Sequence, residues 1–202
     1  MTLRRRILRR NVDGQAKFAR KIASSAVGTL HTFGFRGCSI QDITEAAGVP
    51  KGSFFNHFEN KEDLAIDALR RYIQGARIDL LFQEGVAPLE RLRNHFTFLS
   101  GRLAELGFER GCMLGLFASE MSQEFPRMRE EIRSVFEAWC GAVEEVLREA
   151  QAAGDIDPRH DPAQLARFLV NAWEGATIRL KISRDRSPID DFFNTSFKVL
   201  LK

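Results

Sequence analysis

Lys51, Ser53, Asn56 and His57 fall within seven residues of one another, and every one of them carries a hydrogen-bond donor. Hydroxyl and amide groups both donate and accept, so Ser53 and Asn56 suit the patterned edge of a nucleic-acid base. A lysine such as Lys51 neutralises phosphate and adds affinity without reading sequence. Gly52, between them, lets a backbone come close to a phosphate. An ordinary helical hairpin with its polar side facing water carries the same residue types.

Other chemistries lack their residues. His31, His57, His95 and His160 form neither an HExxH pattern nor a close pair with cysteine, so no metal site is expected. There is no GxSxG, no Walker loop and no GxGxxG following a strand. Glu130-Glu131 and Glu144-Glu145 sit on amphipathic helices as solvated pairs. No catalytic residue and no cofactor is therefore assigned, and an enzyme is not expected. Cys38, Cys112 and Cys140 are odd in number and far apart, which fits a reducing cytoplasm rather than a disulfide framework. No apolar run approaches the ~18 residues of a membrane span, and MTLRRRILRR is too basic for a secretory signal.

Charge is divided unevenly. Residues 1–58 hold ten Lys/Arg against three Asp/Glu, a balance of +7, whereas residues 59–202 carry a balance of −4. A basic head on a mildly acidic body fits contact with a polyanion, and it fits a basic segment kept for solubility equally well. Arg4, Arg5, Arg6, Arg9 and Arg10 form either an arm that follows a nucleic-acid backbone or enters a minor groove, or a solvated tail.

The elements that position these residues read as helical nearly throughout. Phe18, Ile22, Ala26, Leu30 and Phe33 make one stripe, which Gly34 ends. Ser39 opens a second helix, with Asp42 in capping-box position, and Gly48 turns the chain after Ala46 and Ala47. Pro50 suits the first turn of a third short helix through Phe54, Phe55 and Phe58. Asn60 caps a fourth from Lys61. Later stripes follow Pro88, Cys112, Pro126, Pro162 and Pro188. The expected fold is all-α with about nine helices, a head over 1–60 and a larger body over 61–202. Helix, glycine turn and second helix over 39–58 is the pattern of a helix-turn-helix.

The wording is more specific than the pattern. SIQDITEAAGVPKGSFFNHFENKEDL, preceded by Gly34-Phe35, strongly resembles the DNA-binding head of the TetR family of bacterial transcriptional regulators over about residues 15–65. The resemblance implies a homodimeric all-α repressor that binds a palindromic double-stranded operator and is released by a small molecule. Carried over by position, the DNA contacts are Gln41 and Thr44, then Lys51, Gly52, Ser53, Phe55, Asn56, His57 and Lys61. Where the family often has tyrosine, Phe55 has no hydroxyl for a phosphate, which leaves packing or contact with a thymine methyl.

GCMLGLFASEMSQEFPRMREEI and WEGATIRLKISRDRSPIDDF are similar to a TetR subgroup that includes regulators of electrophile and acrylate detoxification. There a cysteine opens the central helix as a sensor, and Cys112 takes that place. A thiol at a helix N-terminus beside Arg110 would have its thiolate favoured; a small buried hydrophobe is the other reading. Met113, Phe117, Met121, Phe136, Trp139 and Trp173 are the candidate apolar lining of an effector cavity, with Asn171 as its polar group. Each also suits simple core packing. The last two helices, with Phe192, Phe193, Phe197, Leu200 and Leu201, resemble the family's dimer pair.

Overall fold

The structure, a computed structural model, describes residues 3–121 and 124–202, with side chains from Phe18 onward. The chain is all-α. In order it forms α1 (Leu3–Phe33), α2 (Ile40–Ala46), a 3₁₀ turn (Lys51–Asn56), α3 (Lys61–Gln74), a second 3₁₀ turn (Ile78–Phe82), α4 (Pro88–Glu105), α5 (Met113–Glu120), α6 (Pro126–Ala152), α7 (Pro162–Ser183) and α8 (Ser187–Thr195). A π-helical segment, Ser196–Leu200, completes the order. Among the described residues, no helix is long and apolar enough to cross a membrane.

The chain divides into two compact units, Met1–Tyr72 with Leu116–Arg129, and Ile73–Gly115 with Glu130–Lys202. The first unit is larger than the expected head. It takes in α3 as far as Tyr72 and a later segment. Its core is Ile22, Ala26 and Leu30 of α1 with Ile43, Phe54, Leu64, Ala65 and Leu69, all buried. Phe18 and Phe33, the ends of the expected α1 stripe, are exposed.

Capping residues fix the ends of these elements. Ser39 Oγ accepts the N–H of Asp42 while Asp42 Oδ2 accepts the N–H of Ser39 at 2.6 Å, a reciprocal box with the shorter acid. Asn60 Oδ1 accepts the N–H of Asp63 at 3.0 Å and opens α3. Glu62 accepts the N–H of Met128, an otherwise orphaned donor in the first turn of α6. Gly34 closes α1 with φ +79°, and a Cβ there would stand 2.0 Å from Glu120 Oε1.

In the second unit, α4, α6, α7 and α8 meet at Phe96. Its ring centroid lies 5.2 Å from that of Trp173 and 4.9 Å from that of Phe192. His95 is fully buried beside it. Its Nε2 accepts the Trp139 indole N–H at 3.1 Å, and burial drives its pKa down to about 4. It is therefore a neutral core histidine. Phe192, Phe197 and Leu201, from the helices that resemble the family's dimer pair, are buried within their own chain. The large apolar residues exposed on α7 and the π-helical segment are instead Phe168, Ile178, Ile182 and Val199.

Candidate nucleic-acid interface

The segment after α2 is built to hold one short turn outward. Gly48, at φ +61°, reverses the chain, and Val49 N–H returns to Thr44 O at 3.0 Å. Pro50 then leads into Lys51–Asn56. The expected third short helix takes the 3₁₀ form. Ser53 N–H bonds to Pro50 O and His57 N–H to Phe54 O, both spanning three residues. Six residues that include Gly52 and Ser53 are too few, and too weak as helix formers, to sustain a ladder spanning four.

Phe54 anchors the turn. It is fully buried, whereas its neighbour Phe55 is 60% exposed. Burying one phenyl ring contributes roughly 1.5–3 kcal/mol, enough to fix which face points out. Lys51, Gly52, Phe55 and Asn56 are exposed, and Ser53 and His57 are half-buried. The donors singled out in the sequence thus share one accessible segment. Among the described residues, and apart from the glycine's chain neighbours and the backbone of its own turn, no heavy atom lies within 4 Å of where a Cβ on Gly52 would sit. Glycine at this position is therefore not demanded by internal packing.

Three flanking candidates behave differently from one another. Gln41 is exposed, its amide donating to Glu45 one turn on at 2.8 Å. Lys61 holds its ammonium 4.5 Å from the centre of the Phe35 ring, a cation–π contact that orients it. Thr44 corrects the expectation. Only 1% exposed, its hydroxyl donates to the carbonyls of Ile40 and Gln41, both at 3.0 Å. Its side chain is committed to α2 and turned away from the surface. The backbone of Arg4, Arg5, Arg6, Arg9 and Arg10 belongs to α1; their side chains lie outside the described residues.

The effector candidates fall in both units. Met113, Trp139 and Trp173 are buried in the second unit, the two tryptophans packed around Phe96. Phe117 and Met121 belong to the first unit, where Phe117 meets Phe35 edge-on at 6.4 Å. Phe136 is half-buried. Asn171 corrects a second expectation. It is exposed, because Leu169, Val170 and Trp173 take the inner side of α7.

Cys112 precedes α5, and the N–H groups of Leu114 and Gly115 are directed at its sulfur. These bonds favour the thiolate, as a helix N-terminus should. Burial of the thiol end and the neighbouring Glu174 carboxylate outweigh them, so the pKa is pushed well above its usual value. The expected activation by Arg110 is overturned: a carboxylate, not a cation, faces this thiol.

Sequence reasoning missed Glu120 and Glu174. Glu120 accepts the N–H of Phe35 and, at 3.3 Å, that of Arg36. Its signal was indirect, a glycine at 34 far from it in sequence. Glu174 is only 9% exposed, and neither of its oxygens has a hydrogen-bond partner of good geometry. Its signal was a lone acid in the apolar run of α7. Among the described residues, no cluster of His, Cys, Asp and Glu has the makings of a metal site.

Residues 22–68 match the family described as bacterial regulatory proteins, tetR family. Residues 88–196 match the tetracyclin repressor-like, C-terminal domain. The chain is 37% identical to the HTH-type transcriptional repressor DhaR of Mycobacterium sp. (strain GP1), over 83% of this chain and 84% of that protein. Transcriptional regulator AcuR of Cereibacter sphaeroides is 36% identical over 80% of this chain and 75% of its own length. The HTH-type transcriptional repressor NemR of Escherichia coli K12 is 27% identical over 78% of this chain and 81% of its own. Among solved structures, regulatory protein TetR from Rhodobacter sphaeroides superposes with a TM-score of 0.82 at 32% identity, covering 87% of this chain and 95% of that one.

Proposed function

Because the chain belongs to the TetR family of transcriptional regulators, and is not an enzyme, we propose that it is a repressor that binds a palindromic operator as a homodimer and is released by a small molecule. It works in the cytoplasm, with residues 1–60 contacting DNA and residues 61–202 serving effector binding and dimerisation. The observation that carries this reading is the outward turn Lys51–Asn56, anchored by buried Phe54 and presenting Lys51, Ser53 and Asn56. Two such turns in a two-fold dimer would address successive major grooves ~34–36 Å apart. Phe168, Ile178, Ile182 and Val199, exposed on α7 and the π-helical segment, support a second copy as the partner of that face. Gel-shift titration of an operator fragment, with and without candidate effectors, tests it. Release requires a ligand that prefers the state with misplaced heads, by the ratio of its affinities for the two states.

A second reading rests on Cys112 and its acidic neighbour: the effector is a reactive electrophile captured by the thiol. Cys112→Ser would abolish the response to electrophiles and leave operator affinity intact. A serine variant that still lets go of DNA after electrophile treatment contradicts this reading.

A further inference from the structure

Phe55 is 60% exposed, whereas Phe54 beside it is fully buried. A single exposed phenyl is ordinary on a protein surface. This one is set apart by its place. Of the exposed residues of the turn, Lys51, Gly52, Phe55 and Asn56, it alone carries an apolar side chain. A 3₁₀ turn has about three residues per turn, so residues three apart share an edge. Lys51 and Phe54 share one edge, Gly52 and Phe55 the next, Ser53 and Asn56 the third. The first edge ends in the core at Phe54. The third holds the two side chains suited to base edges. The middle edge is bare at Gly52, which leaves open space at its Cβ position, so no side chain on that edge screens the Phe55 ring. The ring is also oriented. It meets Phe54 edge-on, with centroids 5.1 Å apart and planes at 78°, an arrangement that aromatic pairs prefer. Phe54 in turn lies 5.5 Å from Phe58. An oriented apolar surface therefore stands beside Ser53 and Asn56.

We propose that Phe55 reads the C5 methyl group of a thymine in the operator, and so specifies one base position of each half-site that no hydrogen bond from the turn specifies. This deepens the operator-binding reading above and rests on it. A phenyl ring brings neither a donor nor an acceptor to the patterned edges that Ser53 and Asn56 suit. The apolar group that the major groove offers is the thymine methyl. The sugar–phosphate backbone repeats at every position, and its charge favours a cation such as Lys51 over a phenyl. The balance of +7 over residues 1–58 fits this face to a polyanion, which makes DNA the occupant that the surrounding charge selects. Covering the ring with a methyl takes apolar area of both partners out of water, a gain realised at thymine and lost at any base without that group.

The test removes that methyl and nothing else. Duplexes enriched from a random pool on the full, unaltered chain supply the operator. Each thymine is then replaced by 2′-deoxyuridine, one matched position of the two half-sites at a time. One such position should lose about fourfold in affinity per half-site, the worth of one buried methyl-sized group. Phe55→Ala should bind the thymine and deoxyuridine operators alike. Phe55→Leu, which keeps an apolar side chain, should retain the preference for thymine. The scan itself is read on the unaltered protein, so a variant that folds poorly does not rescue the proposal. Indifference to every replacement, or an enriched site with no thymine common to its half-sites, would overturn the methyl contact and leave operator binding standing. A thymine preference that survives Phe55→Ala would overturn it too, because another group would then be the reader. Failure to enrich any duplex would end the operator-binding reading, and the methyl contact with it.

Discussion

The carboxylate of Glu120 accepts the backbone N–H of Phe35 just past the end of α1, and it reaches that donor across the bare face of Gly34. One glycine therefore serves two needs. It adopts φ +79°, which a side chain resists, and it leaves room for an acid that satisfies Phe35 and Arg36. Arg36 adds bonds to Glu120 O and Glu124, both at 3.2 Å, so the turn before α2 is held by carboxylates from the chain around residue 120.

Glu120→Ala should lower unfolding stability by about 1–3 kcal/mol, the usual cost of an unsatisfied donor. Gly34→Ala should cost at least as much. The double variant should lose less than the sum, because removing the Glu120 side chain also removes the clash. Urea unfolding of the cycle checks it; strict additivity would mean that glycine at 34 serves backbone conformation only.

Two buried groups give opposite pH limbs. His95 falls from 6.5 to about 4 in the fold, so the unfolded chain binds its proton more readily. Its contribution is complete above pH 6.5 and is lost as pH falls towards 4. Glu174 rises from 4.5 to about 7, so its contribution is complete below pH 4.5 and is lost as pH rises towards 7. Each limb amounts to roughly 3 kcal/mol. Between pH 4.5 and 6.5 the slopes oppose. The urea midpoint of Glu174→Gln should therefore rise with pH relative to the unaltered protein across 4.5 to 7, and that of His95→Gln should fall across 4 to 6.5. Parallel curves would place either side chain in contact with water.

Gly52→Ala separates packing from recognition. With open space at its Cβ position, the substitution should leave stability within about 0.5 kcal/mol or raise it slightly. Operator affinity should drop, because the added methyl stands between the turn and a phosphate. Equal affinity in a gel-shift titration would remove Gly52 from the contact face.

Lys51→Ala should weaken DNA binding on all sequences alike and reduce the log–log salt slope by about one unit. Asn56→Ala should instead relax preference at one base position with little change in slope. The two are read from the same salt series.

Much of the fold was legible because glycine, proline and short polar caps sit where elements end. Ser39, Gly48, Asn60 and Gly34 all act as their residue types require. The outward turn was legible for the same reason, although its 3₁₀ form was not: short helices leave no periodicity with which to tell the two ladders apart. What stayed hidden depended on contacts distant in sequence. Thr44 looks like a surface hydroxyl until α2 packs down. Asn171 looks like a pocket group until α7 turns its apolar side inward. Glu120 and Glu174 act on residues far away in the chain, which no local pattern reveals. Phe192, Phe197 and Leu201 lie in helices that resemble the family's dimer pair, and their apolar spacing alone did not tell packing on their own chain, where the structure buries them, from packing on a partner.

The central claim is sequence-selective DNA binding through Lys51–Asn56, and competition between duplexes tests it most directly. Duplexes enriched from a random pool on the unaltered protein would compete against random-sequence DNA at low ionic strength without effector. Binding to the enriched duplex should be tighter by about 10³-fold or more, and Ser53→Ala with Asn56→Ala should collapse that ratio while leaving weak general binding. A folded protein that holds both duplexes equally well would contradict the account.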